Sequence, residues 1–338
     1  MNSGAEVRAV AIADVRAAQS TIYALVKRTA LRRSAAVSRL AGTEVFLKLE
    51  LEQPTGSFKV RGASNRMLRL SAAERRRGVI AVSTGNHARA VSWVGRQLEV
   101  ATDVFLSSLV PDNKVGAIRE LGSRVSVLGE SYDEAFEAAR QESERRGGVL
   151  IPPFDDCDII AGQGTIGLEI LEDVPDVATV LVPLSGGGLI AGIALAVKTA
   201  RPGSRVIGVC MQRGPAMHAS QRAGRPVRVP ESITIADSLA GGIGLENRYT
   251  FRMVRELVDE IVLVSEEEIE CAMRFLHTHE GLVAEGAAAV PVAAIQAQKI
   301  AGLGEKVVLV ISGGNVDADA FARILGKPRT ADDSGVVA

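Results

Sequence analysis

A chain of 338 residues that is 47% apolar, 23% charged and 4% aromatic has the composition of an ordinary folded protein, which excludes global disorder, a collagen-like repeat and a coiled coil. Its 39 basic side chains nearly balance 40 acidic ones, for a net charge of −1; with no overall field to hold a polyanion, nucleic acid is not expected as the main partner. The length favours two domains sharing a cleft over one.

The first twenty residues carry Glu6, Arg8, Asp14 and Arg16 and lack a continuous apolar core. They do not resemble a secretory signal, so a cytoplasmic protein is expected. From there on, short β-rich runs alternate with longer helical patterns. Strands are expected at 45–49, 79–83, 102–106, 125–128, 179–184, 206–209, 261–264 and 307–311. Most are almost continuously apolar, as parallel strands covered by helices on both faces should be, and the class is therefore α/β with parallel sheets. Residues 177–197 run for 21 positions without a charge, long enough to span a bilayer. Pro183, Ser185 and Gly186–Gly188 interrupt that run, so a strand, a turn and a helix explain it better, and no membrane association is expected. Ser265 and Glu268 form a capping box ahead of Ile269, Ala272, Met273 and Leu276, which recur on one helical face. The tail after Lys327 reads as polar and frayed. No linker divides the chain cleanly, which suggests one domain inserted in another: 1–51 with 153–338 as the larger, 52–152 as the smaller.

Cys157, Cys210 and Cys271 are far apart and form no CxxC pair, so they read as reduced, buried thiols rather than a disulfide framework or zinc site. His277 and His279 are two residues apart and point to different helix faces, and His218 falls in an expected loop; no metal site is expected.

In open parallel sheets, ligands collect where strand ends meet helix N-termini. Four strand ends carry unusual residues: Gln-Pro-Thr-Gly-Ser-Phe-Lys-Val-Arg-Gly at 53–62, Ser-Thr-Gly-Asn-His at 83–87, Ser-Gly-Gly-Gly-Leu at 185–189 and Ser-Gly-Gly-Asn at 312–315. The third is the strongest phosphate cradle, because three glycines let backbone N–H groups approach an anion at the positive end of a helix; its bland alternative is a turn without a ligand. Gly162–Gly167 matches the dinucleotide fingerprint by letter, but no apolar strand precedes it. It reads instead as a glycine-rich helix entry packed closely on a sheet. Only eight lysines are present. Lys59 follows Thr55 and Ser57, good N-cap types, and so is expected in the first turn of a helix. There, near a positive helix end and partly desolvated, it would lose its proton more readily, as imine formation with an aldehyde requires. Taken alone, Lys59 and Arg61 read as solvated surface charges. Together, an imine lysine, a phosphate cradle and polar groups at two further strand ends point to pyridoxal 5'-phosphate.

These residues resemble the fold-type II pyridoxal-phosphate enzymes, and within them the threonine/serine dehydratase group, from about residue 11 to about residue 324. The run at Gly56–Gly62 is the most specific part, since Lys-Val-Arg-Gly is similar to dehydratases where cysteine-synthase and threonine-synthase relatives show Lys-Asp-Arg. The resemblance implies that Lys59 carries the cofactor and then takes the substrate α-proton, and that Phe58 packs beside the cofactor ring. It also implies that Asn86 hydrogen-bonds the ring hydroxyl, that Ser83, Thr84, Gly85, Asn86 and His87 hold the substrate carboxylate, and that Thr84 stands where serine racemases use a serine hydroxyl. Ser185, Gly186, Gly187, Gly188 and Leu189 would bind the phosphate and Ser312 the pyridine nitrogen, while Glu285 matches an acidic position near the site. The implied reaction removes water and then ammonia from a β-hydroxy amino acid. A homodimer is implied by the same analogy.

The sequence departs from the group in several places. Arg89 stands where relatives have glutamine, with solvent and substrate roles both open, and Ser238 stands where many have glycine. Cys210 and Ala216 replace two carboxylates that bind a divalent ion in several relatives, so that site is not expected. The segment 237–244 resembles the hydroxyectoine utilization dehydratases, which are thought to act on a hydroxylated diamino acid. The chain ends soon after Ile324, so the extra regulatory domain of amino-acid-controlled dehydratases is not expected. Other functions remain open: β-replacement or racemisation on the same fold, a nicotinamide oxidoreductase, or a noncatalytic binding protein.

Overall fold

The computed structural model describes residues 8–326 apart from 84, 107, 109–111 and 129–131. The strands are β1 (Leu31–Arg33), β2 (Glu44–Leu49), β3 (Val79–Val82), β4 (Thr102–Leu106), β5 (Arg124–Val127), β6 (Val149–Leu150), β7 (Thr179–Pro183), β8 (Arg205–Met211), β9 (Glu260–Val264) and β10 (Lys306–Ile311). All eight expected strands are present. They form two sheets, one in the order β1-β2-β10-β7-β8-β9 and one in the order β5-β4-β3-β6. Every pair is parallel except β1 with β2, where Leu31 lies opposite Lys48. The expected α/β class with parallel sheets is found, and the single antiparallel pair lies at that edge, where a three-residue strand is too short to show alternation.

The fully buried strands β3, β4 and β7 account for the continuous apolar runs in the sequence. In the larger sheet Val307 of β10 pairs with Val45 of β2 on one side and with Thr179 of β7 on the other. Three strand ends that carry the unusual loops are therefore neighbours. The expected strand, turn and helix at 177–197 are β7, a glycine turn and the helix Gly188–Ala200. Among the described residues no helix is long and apolar enough to cross a membrane.

The Gly162–Gly167 segment lies inside the helix Cys157–Asp173, whose N-cap is Asp156, and its neighbours are helices rather than a sheet. A Cβ on Gly162 would sit 2.7 Å from the backbone of Arg61 and Gly62, and one on Gly164 2.9 Å from the Gly192 carbonyl. Glycine is required there by the closeness of the backbones, not by a nucleotide. His218, expected in a loop, is in the helix Ala216–Ala223. Ser265 does form its capping box with Glu268. Cys210 is buried, whereas Cys157 and Cys271 are only partly so. His277 and His279 pack separately, against Phe321 and Phe275. The tail after Lys327 lies outside the described residues.

A neutral set of four buried charges joins the start of the helix Lys59–Leu68 to the larger sheet. The Arg61 guanidinium donates to both oxygens of Glu50 at 2.8 Å, and to Glu169 at 2.6 and 2.9 Å. Lys48 pairs with Glu169 at 2.6 Å, and Tyr23 donates its hydroxyl to the same carboxylate. All four charged side chains are inaccessible to solvent. Two planar carboxylates matched to one planar guanidinium make such burial tolerable. The reading of Arg61 as a solvated surface charge is therefore corrected.

Candidate active site

The four loops converge. Lys59 is the first residue of its helix, but Thr55 and Ser57 do not cap it; Phe58 occupies the N-cap without a side-chain bond. The hydroxyls of Thr55 and Ser57 are buried and have no hydrogen-bond partner among the described residues. The Lys59 ammonium donates to the Pro153 carbonyl at 2.8 Å and lies 5.3 Å from the centre of the Phe58 ring. The residue as a whole keeps some contact with solvent, but the protein packed around its ammonium lowers the pKa to about 8, against a smaller upward pull from the Glu285 carboxylate.

The residue after Pro153 connects Lys59 to the triglycine turn. A Cβ on Gly186 would lie 2.4 Å from the Phe154 ring, and one on Gly188 2.9 Å from the Phe154 carbonyl. Gly187 caps the helix Gly188–Ala200 with φ +91°, a conformation in which L side chains are strained. Ser185, Gly186, Gly187, Gly188 and Leu189 thus form a closely packed turn at a helix start, where the first-turn N–H groups have no partner within the helix.

The loop after β10 is joined to the lysine loop by backbone bonds. Ser312 accepts from the Phe58 N–H at 3.0 Å, and Gly314 donates to the Gly56 carbonyl at 2.9 Å. Ser312 is buried at the end of β10. A Cβ on Gly313 would fall 2.9 Å from the Glu285 carboxylate and 3.1 Å from the Ser57 side chain.

From the smaller sheet come Ser83, Gly85, Asn86 and His87; Thr84 lies outside the described residues. The Ser83 hydroxyl accepts from the Gly85 N–H, and Gly85 precedes the helix Asn86–Leu98 with open space where a Cβ would be. The Asn86 amide donates to both oxygens of Glu285, at 2.8 and 3.0 Å. His87 is buried with Nε2 2.8 Å from the Ile151 carbonyl; burial, then the nearby Lys59 ammonium, hold its pKa down at about 3. The imidazole is neutral and carries its proton on Nε2, because a carbonyl can only accept. Burial raises the Glu285 carboxyl to about 7, with the Asn86 bond opposing the rise and the Asp237 charge adding to it. Arg89, one turn on, has its Nε buried without a partner among the described residues.

A match to the family described as pyridoxal-phosphate dependent enzymes spans residues 22–313. The chain belongs to that family. It is a fold-type II enzyme of the threonine/serine dehydratase group, and its cofactor is pyridoxal phosphate. It is 45% identical over 318 residues to the L-threonine ammonia-lyase of Thermotoga maritima, covering 94% of this chain and 79% of that one. It is 41% identical over 319 residues to the catabolic L-threonine dehydratase of Escherichia coli K12, covering 94% and 96%. Among solved structures, maize serine racemase matches with a TM-score of 0.88 at 32% identity over 94% of this chain and 97% of that one.

The site's own geometry fits the family's cofactor. An amine with a lowered pKa suits an aldehyde, a triglycine turn at a helix start suits a phosphate, and two orphaned buried hydroxyls in the loop that leads into Lys59 leave hydrogen-bonding capacity for a polar ligand. Pro153 and Phe154 were missed in the sequence; the only signal was an aromatic residue after two prolines in an aromatic-poor chain. Asn315 stood in a named loop without a role, and Glu285 was found through the resemblance alone.

The lowered lysine pKa has a testable consequence. In the cofactor-free protein, the rate at which Lys59 captures added pyridoxal phosphate should rise about tenfold per pH unit below about pH 8 and level off above it, because only the unprotonated amine attacks. Stopped-flow absorbance would follow it. A rate still climbing above about pH 10, the range of a free lysine, would contradict the assignment.

Proposed function

We propose that this protein is an ammonia-lyase that removes water and then ammonia from a β-hydroxy amino acid of the threonine or serine kind. The observation that carries the reading is the Lys59 ammonium, held at Pro153 with a pKa of about 8 amid four strand-end loops. In this reading Phe58, Lys59, Asn86, Ser185 to Leu189 and Ser312 hold the cofactor, which supplies an electron sink that makes the substrate Cα–H acidic. Lys59, whose pKa of about 8 leaves the amine free in mildly basic solution, receives that proton. The backbone N–H groups of the Ser83 to His87 turn orient the substrate carboxylate; the His87 ring, already bonded to Ile151, holds the turn rather than the substrate. Loss of the β-hydroxyl as water leaves an enamine product, which takes up water after release to give a 2-oxo acid and ammonia.

The finer substrate reading is a hydroxylated diaminobutyrate. It is supported by Ser238, whose hydroxyl lies 3.4 Å from the Asn86 amide and 3.5 Å from the Asp237 carboxylate, offering polar groups to a side chain longer than threonine's. Residues 52–152, which contain the whole smaller sheet, form the inserted domain in this reading, and the working form is a cytoplasmic homodimer. Ammonia and 2-oxo acid release should be measured with L-threonine, L-serine, hydroxyaspartate and hydroxylated diaminobutyrate. Release in equal amounts from at least one supports the lyase. A new carbon–sulfur product with added thiol, or interconversion of serine enantiomers without ammonia, would replace it with β-replacement or racemisation.

A further inference from the structure

We propose that Asn315 is a positioning residue that fixes the side-chain amide of Asn86, so that Asn86 presents an N–H and not a carbonyl to the ring oxygen of the cofactor. The proposal rests on the reading above that Asn86 faces that oxygen.

A primary amide can be turned end for end with little change in shape, so something must decide which end faces the ligand. Glu285, the first candidate, is ambiguous. Its carboxyl, raised to about 7, accepts from Asn86 when ionised but can donate to the Asn86 oxygen when protonated. The deciding group is a backbone carbonyl, which can only accept. The Asn315 Nδ2 donates one N–H to the Thr55 carbonyl at 2.8 Å and the other to Asn86 Oδ1 at 2.7 Å. The carbonyl identifies the nitrogen end of Asn315; that end identifies the oxygen of Asn86; the Asn86 nitrogen must then point the other way, with one N–H held by Glu285 and the second, which Ser238 meets only at 3.4 Å, left to face the ring oxygen.

The surroundings hold Asn315 in place for this task. Gly56 has φ +74°, and a Cβ there would fall 2.5 Å from the Asn315 Oδ1, so the loop before Lys59 is open at the one point where the Asn315 side chain enters. Gly314 is bonded to the Gly56 carbonyl, which fixes the two loops in register. Through one side chain the end of β10 therefore sets a group on the helix that follows β3, in the other sheet.

The test uses the holoenzyme carrying Asn315→Ala, and Asn315→Asp, which keeps the size and the fit against Gly56 but removes both donors. Each should shift the visible absorbance band of the bound cofactor and lower kcat by on the order of tenfold, with a smaller change in KM. In an Asn86→Ala background the same replacements should cost less than about a further twofold, because the group they act through is gone. Losses that multiply in the double variants, or a band left in place while only thermal stability falls, would overturn the proposal, as would failure of both variants to fold as holoenzyme. Lys59→Ala separates the two levels. If the cofactor band survives in that variant, the reading of the site itself fails; if it disappears while the Asn315 and Asn86 losses multiply, only the positioning role fails.

Discussion

Replacement of Lys59 by alanine is expected to abolish the visible band of the covalently held cofactor and to reduce turnover on the order of 10⁴-fold or more, since both attachment and proton transfer depend on one amine. The fold should survive. Among the described residues the ammonium makes one hydrogen bond, to the Pro153 carbonyl, and its burial already disfavours the charged form, so removing it takes away little that holds the protein together. Lys59→Arg should be equally inactive, because a guanidinium stays protonated at any working pH and forms no imine. Borohydride reduction of the unmodified holoenzyme followed by peptide mapping provides the complementary result: the added mass should lie on Lys59. Mass on another lysine, or full activity in the alanine variant, would remove the basis of the proposed reaction.

A different kind of loss is expected at Arg61, two residues further on. Arg61→Ala should lower stability by about 3–5 kcal/mol, because it leaves the Glu50 and Glu169 carboxylates buried with only Lys48 to balance them. Arg61→Lys should recover only part of this, since a point charge cannot meet two carboxylates in paired fashion. By contrast, breaking the exposed pair between Lys306 and Asp176, whose side chains are 35% and 56% accessible, should cost less than about 1 kcal/mol. Urea unfolding of the three variants would rank them. A loss at Arg61 no larger than at Lys306 would mean that the buried charges are not coupled as the geometry requires.

The site was legible in unequal parts. Ser185 to Leu189 stood out because β-branched residues, glycines and an Ala/Leu/Ile run follow one another in sequence, and each of those signals is local. The alternation of strand and helix was legible for the same reason. β1 and β6 were not, because three and two residues carry no periodicity. The hydroxyls of Thr55 and Ser57 looked like caps by residue type, yet the helix begins at Lys59 without them, and they remain buried and unpartnered among the described residues.

By itself the sequence determined the eight longer strands, which loops are rich in glycine, and that one lysine stands in a turn rare enough to carry a family resemblance. All of these are properties of neighbouring residues, set by backbone sterics and by the period of apolar side chains. Only the tertiary structure decided that Arg61 is buried between Glu50 and Glu169, that Phe154 lies beneath the triglycine turn, and that Asn315 meets Asn86 across two sheets. A charge is read as solvated until its partners are known, and those partners come from segments that the order of strands, not the order of residues, places side by side.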